Sequence, residues 1–473
     1  MCVRFSAATT AERFLPERLA SRARPLLDQV DALLIPRDAR DQAGRISLIA
    51  FAIRILSAAI AFISQVFMAR WMGSFEYGIF VLVWVAVVIL GNLSCFGFHT
   101  AVIRFIPEYR ETDRPDHLRG ILFGSRIFTL VASSSIAALG ALGLYLFSGS
   151  VEPYYIVPFA LGIVMLPMIA LSDTLQGIAR ANAWAVAALA PAYVVRPTLL
   201  LVFMAGLLLA GWEPDARTSL IAAIAATYAT ALYQVLSVTG PADRVAGRGS
   251  RHIDMRTWLA VSLPIFLIEG FTFLLTNADV LVVGFYLEPH DVAIYYATVK
   301  TLALVHFVYF AVKTGAAQRY AQLIHAGENR RLADFARETV AWTFWPSVGM
   351  GLFVLAAGWP LLLLFGEEFT AGYPLLFVLV AGVMARASVG PAESLLTMSG
   401  QQNICAGVYA ATLAVNLTCN ALLIPQIGLW GAAVATSAAM IFEAIALAIV
   451  VWIKLGLVMV IGFQATPARG RSS

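Results

Sequence analysis

Apolar runs of roughly 20 residues recur from Ile46 to Ile461, and nothing else in the chain limits its possible folds so strongly. The stretches Ile79 to Gly91 and Leu361 to Phe365 are typical, with Leu, Val, Ile, Ala and Phe and almost no charge. A hydrocarbon core about 30 Å thick is crossed by about 20 helical residues. The pattern therefore predicts an all-α polytopic membrane protein. Of 473 residues 60% are hydrophobic and 13% charged, against about 25% charged in soluble domains. That deficit excludes an ordinary globular enzyme. No segment interleaves basic and aromatic residues as a nucleic-acid surface would, so no nucleic-acid partner is expected.

About 12 spans are expected, near 46-68, 77-99, 121-147, 154-175, 186-208, 218-239, 258-286, 291-312, 342-365, 373-397, 404-424 and 429-453. The 258-286 run is long for one span and is either tilted or broken near Pro264. Charge in the connecting loops sets the orientation. One set of loops carries Arg104, Arg110, Arg114, Arg119, Arg180, Arg244, Arg248, Arg251, Arg256, Lys313, Arg319, Arg330, Arg331 and Arg337. The alternate set carries only Arg70 and Arg217, beside Glu76, Glu152, Glu213, Asp215, Glu288, Asp291, Glu367 and Glu368. The positive-inside rule places the Arg-rich set and both termini in the cytoplasm, which an even span count also requires. No expected outward loop is long enough for a catalytic domain, so the helices themselves must carry the function.

The expected organisation is a cytoplasmic Arg-rich leader at 1-45, a six-helix lobe at 46-240, a cytoplasmic linker at 241-257, a second six-helix lobe at 258-463 and a short cytoplasmic tail at 464-473. The leader shows no cleavable signal. Its Leu15, Leu19, Leu26, Val30 and Leu33 recur at near-helical spacing among arginines, the pattern of either a helix lying on an anionic leaflet or a loose extension. Cys95, Cys405 and Cys419 fall in or beside apolar runs and read as buried structural thiols. The two lobes repeat. Ala69 to Phe80 aligns with Gly284 to Tyr295 at an offset of 284 − 69 = 215, which also carries Arg104 to Arg319. Six spans per half give both halves the same orientation. Such a parallel repeat encloses a central cavity.

Four blocks carry a family resemblance: Ala69 to Phe80 followed by Gly97 to Pro107; Thr276 to Gly284 leading into Ala293 to Ala297; Phe365 to Phe369 with Gly400; and Asn416 to Pro425 with Gly428 to Ala433. In order and spacing the chain resembles the polysaccharide transporters of the multidrug/oligosaccharidyl-lipid/polysaccharide exporter superfamily, the O-antigen and exopolysaccharide unit flippases. The span count suits this branch better than the related lipid II flippases. The Arg-rich leader departs from the pattern. The resemblance implies a flippase that turns a polyprenyl-pyrophosphate-linked oligosaccharide from the inner to the outer leaflet of the cytoplasmic membrane, for surface polysaccharide biosynthesis. It implies membrane lipids and the lipid-linked oligosaccharide as partners, H+ or Na+ as the coupling ion if there is one, and a glycan polymerase with export machinery nearby. No cofactor is implied.

Ionisable residues within spans mark the candidate site, since each costs about 3 kcal/mol at the bilayer centre. Arg54, Arg196, Lys300 and Arg386 are deep cations that suit a pyrophosphate headgroup, arginine most of all because its planar fork matches phosphate oxygens. Alternatively they neutralise buried acids. Glu269, Asp279 and Glu443 are candidates for coupling or gating. The repeat places Arg54 opposite Glu269, so the two could pair in one access state and part in the other. His306 lies inside a span and reads as packing. Trp71, Trp212, Trp258, Trp345, Trp359, Trp430 and Tyr373 read as an interfacial aromatic belt. The histidines are scattered without metal spacing, no nucleotide-binding loop is present and no catalytic constellation is visible, so no enzymatic activity is expected. The rival function is a cation-coupled exporter of the multidrug and toxin extrusion type, which favours an acidic, aromatic cavity.

Overall fold

The computed structural model describes residues 39–462, with side chains from Leu56 onward. The expected leader and tail therefore lie almost wholly outside the described residues. Among those described, every regular element is helical. Hydrocarbon offers no partner for a free N–H or C=O, and a helix satisfies both within one segment. Eleven stretches are long and apolar enough to cross a membrane. The first of them holds two spans, because Gly73 sits at φ 73° and ψ 172°, outside helical space. Twelve spans result, as the apolar runs predict.

We number them α1 (39–72), α2 (74–111), α3 (Pro115–Leu146), α4 (Pro153–Ala181), α5 (Ala185–Leu209), α6 (Ala216–Ala246), α7 (Met255–Tyr286), α8 (Pro289–His325), α9 (Asn329–Phe365), α10 (Glu367–Met398), α11 (Gln402–Ile427) and α12 (Leu429–Leu455). Helices α1–α6 and α7–α12 form two six-helix lobes. The repeat is visible in the turns: the α1–α2 break at Gly73 and the α7–α8 turn at Glu288 are related by the same offset as the sequence blocks.

Several helices outrun their apolar cores. Helix α8 continues to His325 and α6 to Ala246, so residues 241–246 of the expected linker are helical. Hydropathy marks the hydrocarbon, whereas the helix persists into water wherever backbone bonding and side chains allow. Helix α7 is one unbroken helix through Pro264, so the long run is not divided. Helix α2 is interrupted instead, as is α10 between Ala387 and Ala392. Phe96 and Gly97 take φ of 46° and 77° between Leu93 and Phe98. The glycine is required there: a Cβ would lie 2.3 Å from the Ser262 carbonyl oxygen of α7, so the break lets the lobes touch backbone to backbone.

The lobes meet closely at the acidic loop end. Gly78 of α2 packs on the Pro289 carbonyl of α8, only 1.7 Å from where a Cβ would sit. Ser74 hydrogen-bonds Glu368, and its hydroxyl lies 2.7 Å from His290 Nδ1. Tyr77 packs edge-on to Phe369, centroids 6.0 Å apart. Arg70, an exception to the charge bias, donates to the Leu363 and Leu364 carbonyls at 2.6 and 2.7 Å. Those carbonyls belong to the last turn of α9, where a cation meets the negative end of the helix dipole.

Near the basic loop end, α7 docks on the first lobe through Trp258. This residue is fully buried rather than interfacial. It fills the space left by Gly124, whose Cβ position is 2.8 Å from the indole, and its Nε1 donates to the Tyr109 hydroxyl at 3.0 Å. Trp258→Ala should therefore cost about 3–5 kcal/mol of cavity and lost contact. A clear fall in the melting temperature of the purified protein checks this; an unchanged midpoint would contradict the docking role.

Candidate functional site

A cavity of about 300 Å³ opens among α7, α8, α10, α11 and α12. It brings together Asp279, Lys300, Arg386 and Glu443, four of the seven residues expected from sequence, with His306, Asn416 and Thr436 between them. The wall thus contains both signs of charge, and each group is held differently.

Arg386 is neutralised. Its Nη2 lies 3.1 Å from Glu443 Oε1 and 3.9 Å from Glu393 Oε2, and its guanidinium stacks 4.7 Å from the Tyr309 ring centroid. Glu393 also pairs with Lys313. Two cations and two acids thus form one network in which both acids are buried and Lys313 is partly exposed, so neither buried acid is left unpaired. Asp279 is 4% exposed and, among the described residues, has no cationic partner within ion-pair distance. Its carboxylate accepts from the Tyr295 hydroxyl at 2.9 Å and from the Val280 N–H at 2.9 Å, and Tyr295 lies 3.0 Å from the Thr436 hydroxyl. Lys300 has no carboxylate in contact among the described residues. Its ammonium lies 4.7 Å from the Tyr296 ring centroid, a cation–π contact, and the residue lines the cavity.

Arg196 and Glu269 belong to a second polar group in the first lobe and at the lobe interface. Glu269 of α7 meets α2: His99 Nε2 is 3.0 Å from Oε2, and the Thr100 hydroxyl is 3.0 Å from both carboxylate oxygens. Asp173 acts electrostatically on both His99 and Arg196. Arg196 stacks 5.4 Å from the Trp84 centroid. It starts the last stretch of α5, directly after a one-turn widening at Pro191–Val195, where Pro191 and Pro197 lack N–H donors. The side chain of Arg54 lies outside the described residues, so its expected exchange with Glu269 stands as an expectation alone.

Sequence reading missed His99, Thr100, Tyr295, Thr436 and the pairing of Lys313 with Glu393. One signal was readable. Tyr295 is the repeat partner of Phe80, since 295 − 80 = 215, so the second lobe adds a hydroxyl at a position that is purely apolar in the first. His306, expected to be packing, lines the cavity. The histidines are not all scattered: His117 and His252 come together beside Asp116, with candidate ligand atoms within 4.8 Å of one another. No sequence spacing could reveal a pair drawn from α3 and the loop before α7. The Arg114 guanidinium lies 2.7 Å from His117 Nε2 and places a fixed positive charge there.

Twelve spans in two repeated lobes, with buried charge on both sides of their interface, define a polytopic α-helical membrane protein of transporter architecture. Known structures agree. The lipid II flippase MurJ in an inward closed conformation superposes with a TM-score of 0.67 at 16% identity, over 85% of this chain and 87% of that one. An inward-facing multidrug resistance MATE transporter gives 0.66 at 13% identity, over 85% and 93%. A transporter of the multidrug/oligosaccharidyl-lipid/polysaccharide superfamily from Pyrococcus furiosus, described as having a binding pocket of reversed polarity, gives 0.60 at 13% identity, over 87% and 94%. No curated protein matches the sequence. Residues 44–317 match the polysaccharide biosynthesis protein family, and residues 264–426 match the MatE family. The chain belongs to the polysaccharide biosynthesis protein family.

The buried network makes a sharp prediction. Arg386→Ala leaves Glu443 buried and unpaired and should destabilise the protein by about 3–5 kcal/mol. The double variant Arg386→Met/Glu443→Met should recover more than half of that loss. Thermal unfolding of the purified variants in one detergent measures both; additive losses would mean that the two charges are not coupled.

Proposed function

We propose that this protein is a flippase for a polyprenyl-pyrophosphate-linked oligosaccharide, working by alternating access in the cytoplasmic membrane with both termini inside. The observation that carries the reading is a family match to polysaccharide biosynthesis proteins in a chain whose cavity presents a cation, Lys300, with no described carboxylate in contact. A pyrophosphate supplies the missing anion. Arg196 in the first lobe is a second anchor, stacked on an aromatic rather than salt-bridged. In a low-dielectric cavity each contact to a phosphate oxygen is charge-assisted and about twice as strong as a neutral hydrogen bond. The sugars would lie at the cavity among α7, α8, α10, α11 and α12, and the lipid tail would remain in the bilayer.

The close packing at the acidic end supports a shut outer gate, with Gly78 on Pro289 and Ser74 on Glu368 and His290. Opening requires those contacts to break while the lobes rock about the α2–α7 contact. Asp279, hydrogen-bonded and without an ion pair among the described residues, is the coupling candidate for H+ or Na+. Glu443 is less suited because Arg386 already holds it.

The MatE match over the second lobe keeps one rival, a cation-coupled drug exporter. Lys300→Ala and Arg196→Ala decide between them. On the flippase reading each stops glycan export while the protein still inserts, and lipid-linked oligosaccharide accumulates on the inner leaflet. Extraction of polyprenyl-linked sugars, with leaflet accessibility read by an impermeant probe, measures it. Unchanged pools together with raised sensitivity to cationic drugs would reject the flippase in favour of the exporter.

A further inference from the structure

A larger cavity, of about 550 Å³, lies at the basic loop end, between the start of α3, the end of α6 and the loop at 247–251. None of the residues that line it belongs to either polar group described above. Five arginines line it, Arg119, Arg126, Arg244, Arg248 and Arg251, against the single carboxylate of Asp243. Arg126 uses that carboxylate, Nη2 to Oδ1 at 2.7 Å. Arg119 donates to the Ser250 and Ala246 carbonyls at 2.7 and 3.1 Å, which fastens the loop but leaves the charge uncompensated. Arg251 stacks 4.3 Å from the Phe123 centroid. The side chains of Arg244 and Arg248 make no hydrogen bond, ion pair or ring contact with any described residue.

The loop is shaped around these cations. Gly249 sits at φ +155°, and Arg119 Nη2 lies 2.8 Å from where its Cβ would be. Gly247 sits at φ +70° with open space beside it. Backbone rather than side chain therefore forms part of the wall, and a ligand can approach closely. Four guanidiniums with no counter-charge among the described residues repel one another, and a cavity with low-dielectric walls focuses their field. An anion removes that cost.

We propose that this pocket binds a phosphate group. Guanidinium forks match phosphate oxygens bidentately, and two arginines there are free to turn toward one. The phosphate could reach it as a lipid headgroup or as a free phosphate. Basic pockets between helices at the membrane surface hold lipid phosphates. Here α6 exposes Leu232 and Leu236, 60% and 70% accessible, one to three turns farther into the membrane, where an acyl chain would lie. The proposal stands apart from the flippase reading and would survive its failure.

The test uses the purified full chain and Arg244→Gln/Arg248→Gln, two substitutions that break no contact within the described residues. One arm counts phosphatidylglycerol bound to protein from phosphatidylcholine nanodiscs by native mass spectrometry. The other measures binding of inorganic pyrophosphate in neutral detergent by calorimetry. Wild type should bind at least one probe about tenfold more tightly than the double variant, the effect of losing charge-assisted hydrogen bonds. Preference for phosphatidylglycerol assigns a lipid headgroup, and comparable pyrophosphate binding assigns a free phosphate. Without ligand the variant should melt no lower than wild type, because like-charge repulsion has been removed. Equal affinities of the two proteins in both arms, or a lower unliganded melting point, would overturn the proposal.

Discussion

A charge placed in hydrocarbon must find a partner or water, and the polar architecture of this protein follows from that constraint. The second lobe meets it with the network of Lys313, Glu393, Arg386 and Glu443. The lobe interface meets it by closing Glu269 with His99 and Thr100. Arg70 meets it at the α9 terminus, by binding two carbonyls instead of a carboxylate. Lys300 is the instructive exception, since its aromatic neighbour offsets only part of the cost. A transporter needs such an incomplete site, because a fully neutralised cavity has no electrostatic preference for its cargo.

The repeat gives the two lobes one topology but not one chemistry. Phe80 and Tyr295 occupy equivalent positions, yet only the tyrosine reaches an acid, Asp279. The lobes are joined by close backbone contacts at glycines as well as by large side chains such as Trp258 and Tyr77. Gly78 on Pro289 and Gly97 on Ser262 are backbone contacts that a single methyl group would disrupt. Where small residues meet, stability comes from close van der Waals approach.

Twelve helices, two lobes and the repeat that relates them were legible because hydropathy and loop charge are local, additive signals. Ends were less legible: α8 runs past its expected end at 312 and stops only at His325, because the helix outlasts its apolar stretch. Four of the seven site residues share one cavity, since intramembrane charge is conspicuous in any sequence. Their partners were not legible. His99 and Glu269 come from different lobes, and Lys313 reads as a loop cation until Glu393 is seen against it. Likewise the arginine pocket needs α3, α6 and the 247–251 loop together, although most of its arginines were counted as loop charge.

The proposed alternating access requires the acidic end to open during transport. Ser74→Cys and His290→Cys, in a background lacking Cys2, Cys95, Cys405 and Cys419, place two thiols across that contact, where the native side chains are 2.7 Å apart. A short methanethiosulfonate cross-linker should join them in intact membranes. Glycan export should stop, and reductant should restore it. Efficient cross-linking with export undiminished would contradict alternating access through this end.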